Sequence, residues 1–279
     1  MAYSTGDTIL ASHYSSFRGD FNTNWGTGSG DQGYGQSNTI ADVSIGDTVT
    51  ATQWSTLLAR ETTAAAHQGT SLTSITSPSA GDTISAFTAL TANTALINTN
   101  RLNIDTGNYT DTTSTGSGAG SWTVTTIHEY TLTFASADAV RYYYNAGGST
   151  RLSFAKSTST SNTKNTEWTA LATACGTIIF AAQGTTKSGG SGTPGTIATT
   201  IGYYDMTTSY QTIFKQFEGT TPYTASYILV EAKSNGVQGS NADVGEVVTM
   251  KITWADAAAD DFNDTVDGTV TNTITHRTP

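Results

Sequence analysis

Charge is scarce in this chain. Asp, Glu, Lys and Arg make up 12% of its 279 residues, about half the share usual in a globular domain. Against 22 Asp and Glu stand only 12 Lys and Arg, which leaves a net charge of -10 at pH 7. Phosphate backbones are held by clustered cations that displace counterions, so nucleic acid is not expected as a partner. Cysteine occurs once, as Cys175, which excludes an intrachain disulfide and a cysteine-based zinc site. No apolar run approaches the length of a membrane span, so no membrane insertion is expected. The opening MAYSTGDTIL has no basic segment followed by a long apolar stretch, so no secretory signal is expected. Assembly in the cytoplasm of the producing cell follows as the expectation.

Small uncharged residues fill the space that charge leaves. There are 28 Gly, and threonine alone makes up about a fifth of the chain. Threonine is β-branched and suits a half-buried pleated surface, while its hydroxyl keeps the outer face wet. A hydrophobic content of 36%, with 13 Tyr, 9 Phe and 5 Trp, is enough for a packed core, so the chain is expected to fold.

One phrase occurs three times: STGDTILASHY from Ser4, SIGDTVTATQW from Ser44 and SAGDTISAFTAL from Ser79. Self-similarity at such spacing marks repeated supersecondary units. Each phrase predicts a short extended segment feeding a helix that begins near Ala11, Ala51 or Ala86. Thr50 and Gln53 have the spacing of a capping box; Ser85 is the expected cap of the third helix and Ser12 of the first. Leu10, Tyr14, Phe17 and Phe21 recur at helical spacing, as do Trp54, Leu57 and Leu58. Phe87, Leu90, Leu96 and Ile97 are expected to line the third helix. Three short amphipathic helices must cover their apolar faces against one another or against a neighbouring subunit. Tyr14, Phe17, Phe21, Trp54, Leu57, Leu58, Phe87 and Leu90 are therefore candidates for an assembly interface as well as for a core.

Between the first two units lies WGTGSGDQGYGQS, residues 25–37. Gly28, Gly30 and Gly33 satisfy G-x-G-x-x-G, but a dinucleotide fingerprint follows a strand and opens a helix. Here a helix is expected before it, so the stretch reads as a loop whose ends are pinned by Trp25 and Tyr34. Gly190, Gly192 and Gly195 repeat the spacing and receive the same reading. STGSGAGS, residues 114–121, reads by composition as a flexible hinge. This divides the chain into a helical region 1–113, a hinge 114–121 and a β-rich domain 122–279.

Beyond the hinge the apolar period changes from 3.6 to 2. His128, Tyr130, Leu132 and Phe134 alternate with polar residues, as in a half-buried strand. VRYYYNAGGSTRLSFAKS reads as strand, turn, strand, with Leu152 and Phe154 inward. NTEWTALATACG is the helix of this half, with Trp168, Leu171 and Cys175 on one side and Gly176 at its end. Strands follow at GTIIFAA, YTASYILVEAKS, EVVTMKITWAD and GTVTNTITHRTP. The fold class is thus α+β: short-helix units followed by an antiparallel, jelly-roll-like β-sandwich with one helix.

Few residues point to chemistry. His13, His67, His128 and His276 have no spacing that presents two to one metal. No G-x-S-x-G, P-loop or HExxH occurs. Cys175 reads as a small core residue and His128 as a structural one. Near the end, DAAADDFNDTVDG gathers Asp256, Asp260, Asp261, Asp264 and Asp267. A calcium ion wants six to eight oxygens, which makes Asp260, Asp261, Asp264 and Asp267 weak candidates, although the EF-hand spacing is absent. No cofactor and no enzymatic activity are expected.

Several segments resemble virion proteins of tailed bacteriophages, particularly those of marine hosts. They are GTGSGDQGYGQS, GDTVTATQWSTLLAR, VRYYYNAGGSTRLSFAK, NTEWTALATACGTI and ADDFNDTVDGTVT. The resemblance implies a structural particle component at the neck, collar or tail, of the fibre or whisker type. It implies other virion neck and tail proteins as partners, while the apolar faces of the three short helices lead to the expectation of a homo-oligomer, trimer or higher. It carries no catalytic residues. Two alternatives accompany it: an adhesin for a host receptor or surface glycan, and a capsid decoration protein.

Overall fold

The computed structural model describes residues 11–44, 46–80, 82, 87–118, 120–157, 162–191, 195–236, 245–257 and 265–279. The chain divides into two compact units, one of Met1–Tyr109, Arg141–Gly147 and Pro279, the other of Thr110–Val140 and Gly148–Thr278.

Helices α1 (Ala11–Trp25), α2 (Ala51–Gln68) and α3 (Phe87–Thr99) build the first unit. α2 begins where the repeated phrase predicts, while α1 and α3 are described from Ala11 and Phe87. Ser85, the expected cap of α3, lies outside the described residues, and Ser12, the expected cap of α1, sits inside that helix. Thr50 caps α2: its side chain accepts from the Gln53 amide, and the Gln53 side chain accepts from the Thr50 amide. Gly69 ends α2 in the left-handed region, with φ of 69°, where a side chain would be strained.

The three helices cover their apolar faces against one another. Tyr14, Phe17, Phe21, Trp54, Leu57 and Leu90 are buried in one cluster, with Leu58 and Phe87 half-buried against it. Tyr14 and Trp54 rings lie 5.9 Å apart, and Phe17 meets Phe87 edge-on at 5.1 Å. Side chains of this size each contribute about 1.5–3 kcal/mol by leaving water. Leu96 departs from expectation: it is 40% exposed, and Asn93, Thr94 and Ile97 complete the buried face of α3 instead.

A fourth helix, α4 (Ala137–Asn145), replaces the strand expected at VRYYYN. Three tyrosines favour a strand by propensity, but Ser136 accepts from the Ala139 amide at 3.1 Å and Asp138 sits in the first turn. These features start a helix. Helical spacing brings Arg141 and Asn145 onto one face about 6 Å apart, half the separation a strand would give. Both then reach the glycine-rich loop. Arg141 donates to the carbonyls of Thr27 and Gln32 at 2.8 Å each, and Asn145 Nδ2 donates to those of Gly30 and Gly33 at 3.1 Å.

The second unit holds two antiparallel five-stranded sheets. β1 (Thr110–Gly118), β10 (Thr269–Thr278), β3 (Ser149–Ser157), β4 (Thr177–Phe180) and β5 (Thr185–Ser188) form one, in that order. The other runs β2 (Thr125–Thr133), β9 (Val247–Ala255), β8 (Tyr227–Ser234), β7 (Gln211–Phe217) and β6 (Thr196–Ile197). The α+β sandwich is therefore as expected. The jelly-roll likeness holds for the outer strands only: β1 pairs β10 in one sheet and β2 pairs β9 in the other. β10 also pairs with β3, and the remaining strands pair with their neighbours in sequence. Leu152, Phe154, Ile178, Met250, Ile252, Trp254, Val270 and Ile274 fill the interior. Helix α5 (Thr163–Cys175) packs on β3 of one sheet and on β7 and β8 of the other. Its Trp168 lies 5.9 Å from Trp254, and Trp122 meets both rings edge-on.

The hinge expected over 114–121 is not one where the chain is described up to 118. Thr110–Gly118 pairs with β10 through nine consecutive residues, and the boundary between units falls at Tyr109 instead. Glycine serves close approach here. A Cβ on Gly118 would lie 2.6 Å from His128 Nε2, closer than real contacts allow.

Two outcomes follow. Limited proteolysis should leave Thr110–Gly118 uncut, because strand pairing withholds its backbone from a protease; fragments ending inside it would return the segment to a hinge. Arg141→Met should lower stability by about 3 kcal/mol in urea unfolding, since buried carbonyls lose a charged donor. An unchanged midpoint would mean that the loop holds without the guanidinium.

Candidate functional site

The glycine-rich loop turns its carbonyls inward. Those of Thr27, Gly30, Gln32 and Gly33 face Arg141 and Asn145, and the Asp31 carbonyl accepts from Arg101 Nε at 3.0 Å. Its amides are used at home: Tyr34, Gly35 and Gln36 donate to Asn24, Gly26 and Trp25. A phosphate cradle needs free amides converging on an anion. This loop presents the opposite polarity, which excludes the dinucleotide reading of Gly28, Gly30 and Gly33. Gly33 has φ of 102°, and a Cβ there would meet the Thr27 carbonyl oxygen at 2.3 Å. Trp25 and Tyr34 pin the ends as expected: both are buried, with rings 6.0 Å apart. The Tyr34 hydroxyl donates to the Arg101 carbonyl at 2.6 Å and accepts from Gln68.

The eight assembly candidates are thus core or core-edge residues of the helical unit. Tyr14, Phe17, Phe21, Trp54, Leu57 and Leu90 are buried inside the unit, while Leu58 and Phe87 are half-buried at its edge. Of the calcium candidates, Asp260, Asp261 and Asp264 lie outside the described residues. The Asp267 carboxylate accepts from Ser121 at 2.7 Å, while its amide and carbonyl bind Asn165 and Lys156. Asp256 is buried with Lys164, Nζ to Oδ2 at 2.5 Å, so an ammonium already neutralises it. Among the described residues no group of three His, Cys, Asp or Glu side chains could hold a metal ion. Gly190 and Gly195 are described, while Gly192 is not. Cys175 is buried, and burial pushes its thiol up to about 12, so it stays an inert thiol.

In the sandwich, a cleft of about 410 Å³ opens where β1 and β2 meet, lined by Ser114, Gly116, His128, Tyr130, Asn272 and Ile274 among others. It exists because the β1 residues paired with Ile274 and Asn272 are Ser114 and Gly116, too small to fill the interior. Asn272 is 1% exposed. Its Oδ1 accepts from Trp254 Nε1 at 3.0 Å, which fixes the amide's orientation and leaves Nδ2 as an unpaired donor. Beside it the His276 ring stacks on Tyr130 and bonds its hydroxyl at 2.6 Å. Burial lowers His128 and brings His276 down to about 4, so both rings are neutral at pH 7. The sequence signalled His128 and Tyr130 through alternation. Asn272 was hidden among threonines, and no spacing marks it.

The helical unit has its own buried polar group. Glu61 is 1% exposed on α2 and accepts from the Thr94 hydroxyl of α3 at 2.6 Å. Burial pushes its carboxyl up to about 7. Nothing in the sequence singled it out, since a lone Glu in a helix reads as a solvated one.

Family models, curated proteins and solved structures were each searched, and none matches this chain.

Glu61 and His276 give opposite pH dependences in the two units. The Glu61 carboxyl rises from 4.5 to about 7 on folding, so its stabilising share is full below pH 4.5 and is lost as pH rises through 7. His276 falls from 6.5 to about 4, so its share is full above pH 6.5 and is lost as pH falls through 4. Each is worth about 3 kcal/mol by linkage. Following urea unfolding from pH 4 to pH 8, Glu61→Gln should remove the loss on going to pH 8. His276→Gln should remove the loss on going toward pH 4. A wild-type profile that either variant leaves unaltered would contradict that assignment.

Proposed function

We propose that this protein is a structural component of a tailed-phage virion, a neck, collar or tail-appendage protein that acts as an oligomer and not as an enzyme. The resemblance of segments in both halves to such proteins supports this reading. The observation that carries it is the use made of interior polar groups. Arg141 and Asn145 bind the loop; Lys164 pairs with Asp256; Lys156 bridges Asn165 and the Asp267 carbonyl at 3.0 and 2.6 Å. Each cross-links distant parts of the chain, which suits a rigid building block.

Because the helix faces are covered, the oligomer contact moves to apolar side chains that remain exposed. Val124, just before β2, and Ile127, on it, are 68% and 56% exposed, and among the described residues β2 is an edge strand of its sheet. A long free edge with apolar neighbours is a ready template for association. A second reading, a glycan-binding adhesin, draws on the cleft, whose neutral rings, hydroxyls and unpaired Asn272 donor suit a neutral polyol.

Gold labelling of the protein in intact particles should place it at the neck or tail. Label spread over the shell would make it a decoration protein, and its absence from particles would overturn the reading. Light scattering of purified protein should show an oligomer that Ile127→Asp weakens.

A further inference from the structure

Glu61 carries a hydrogen-bonding vacancy. Oε1 takes the Thr94 hydroxyl, but the buried Oε2 has no hydrogen-bond partner. Among the described residues no Lys, Arg or His forms an ion pair with it. A buried carboxyl is normally paired or fully hydrogen-bonded, because its desolvation otherwise goes uncompensated.

Glu61 also lines a cavity of about 370 Å³ between α2, α3 and the stretch 70–75. That stretch is fixed as an outer wall. Asn93 of α3 accepts from the Thr73 amide and donates to the Thr73 carbonyl, both at 2.9 Å. The side chain thus copies a strand's pairing and holds the wall off the acid. Leu58, Leu72 and Ile75 give the cavity an aliphatic lining, and Thr62, Thr73 and Ser74 contribute uncharged polar groups.

The lining selects among ligands. An anion would be repelled by the acid. A divalent cation wants six or more oxygens, usually from several carboxylates, and among the described residues Glu61 is the one carboxylate of the lining. A quaternary ammonium has no N–H to donate and is recognised by aromatic cages, whereas among the described residues no aromatic one lines this cavity. A primary ammonium on a short alkyl stem meets every feature: N–H donors for the carboxylate and hydroxyls, a positive charge for the acid, and methylenes for the leucines. We propose that this cavity binds a primary alkylammonium group, with Glu61 as its counter-ion. The group could come from a small free amine or from a lysine side chain of another protein. This site is independent of the virion reading, which particle labelling tests separately.

The test uses the full chain at pH 8 and constant ionic strength. A ligand that binds only the folded state raises the melting temperature in a saturable way. n-Butylammonium should do so, while n-butanol and tetramethylammonium at the same concentration should not. In amide NMR spectra the shifts should centre on residues 58–66, 70–75 and 93–94. Glu61→Gln, which keeps the side chain's shape, should abolish both responses. Nα-acetyl-lysine amide divides the sources. If it acts as n-butylammonium does, a protein lysine fits; if only the free amine acts, the site serves small amines. The absence of a saturable response to n-butylammonium in the wild-type chain would overturn the proposal, as would an equal response to n-butanol or in a folded Glu61→Gln protein.

Discussion

Arg141 brings a full positive charge into the helical unit, and the glycine-rich loop supplies the oxygens that replace its water. Removing a guanidinium from solvent is tolerated only when its donors find acceptors. The carbonyls of Thr27 and Gln32, 2.8 Å away, meet that need and so dictate the loop's path. Several of its glycines follow from this, because turning carbonyls inward forces the chain through left-handed conformations at Gly28, Gly30, Gly33 and Gly35. Trp25 and Tyr34 close the loop from outside the cage. The stretch that looks most like a flexible nucleotide-binding loop is therefore held at its ends by aromatic packing and at its centre by charge.

The sandwich uses the same device with different residues. Lys164 and Asp256 neutralise each other at 3% and 2% side-chain exposure, and Asn165 receives a hydrogen bond from Lys156 while its Oδ1 also accepts from the Asp267 amide. In a chain with so few charges, these buried ones are concentrated where α5 meets the strands. Breaking a buried pair strands its partner and costs more than the intact pair contributes. Such pins tie register to topology: Asn165 on α5, Lys156 on β3 and Asp267 before β10 are far apart in sequence and meet in one arrangement.

Local rules were legible. The Thr50–Gln53 box, the start of α2, the inward Leu152 and Phe154, and the Trp168 face of α5 all follow from short-range pattern and stand in the structure. Failures came where a distant partner outweighs local preference. Tyr142, Tyr143 and Tyr144 favour a strand, yet a Ser136 cap and the demand of the loop for Arg141 and Asn145 make them helical. STGSG at 114–118 has the composition of a linker, yet it pairs residue by residue with β10, and a side chain at 118 would crowd the His128 ring. Glu61 and Asn272 were invisible for a related reason. Their interest lies in an unpaired atom, which is a property of surroundings that sequence spacing does not encode.

Threonine explains how a chain this poor in charge keeps an outer face. Along β10, Thr269, Thr271, Thr273 and Thr275 alternate with the buried Val270, Asn272, Ile274 and His276, and β1 offers Thr and Ser beside them. Hydroxyls hold water by hydrogen bonds but lose it at far less cost than carboxylates or ammonium groups do. The centres of protein interfaces are depleted in charge for the same reason. A hydroxyl-rich sheet whose edge carries one charged pair, Asp111 with Arg277, is therefore wet when alone and readily desolvated along its threonine-lined stretch when a matching surface arrives. That combination suits a part made to be built into something larger. It also gives the few buried charges their role, since a surface that does little to fix the fold leaves the interior to specify it.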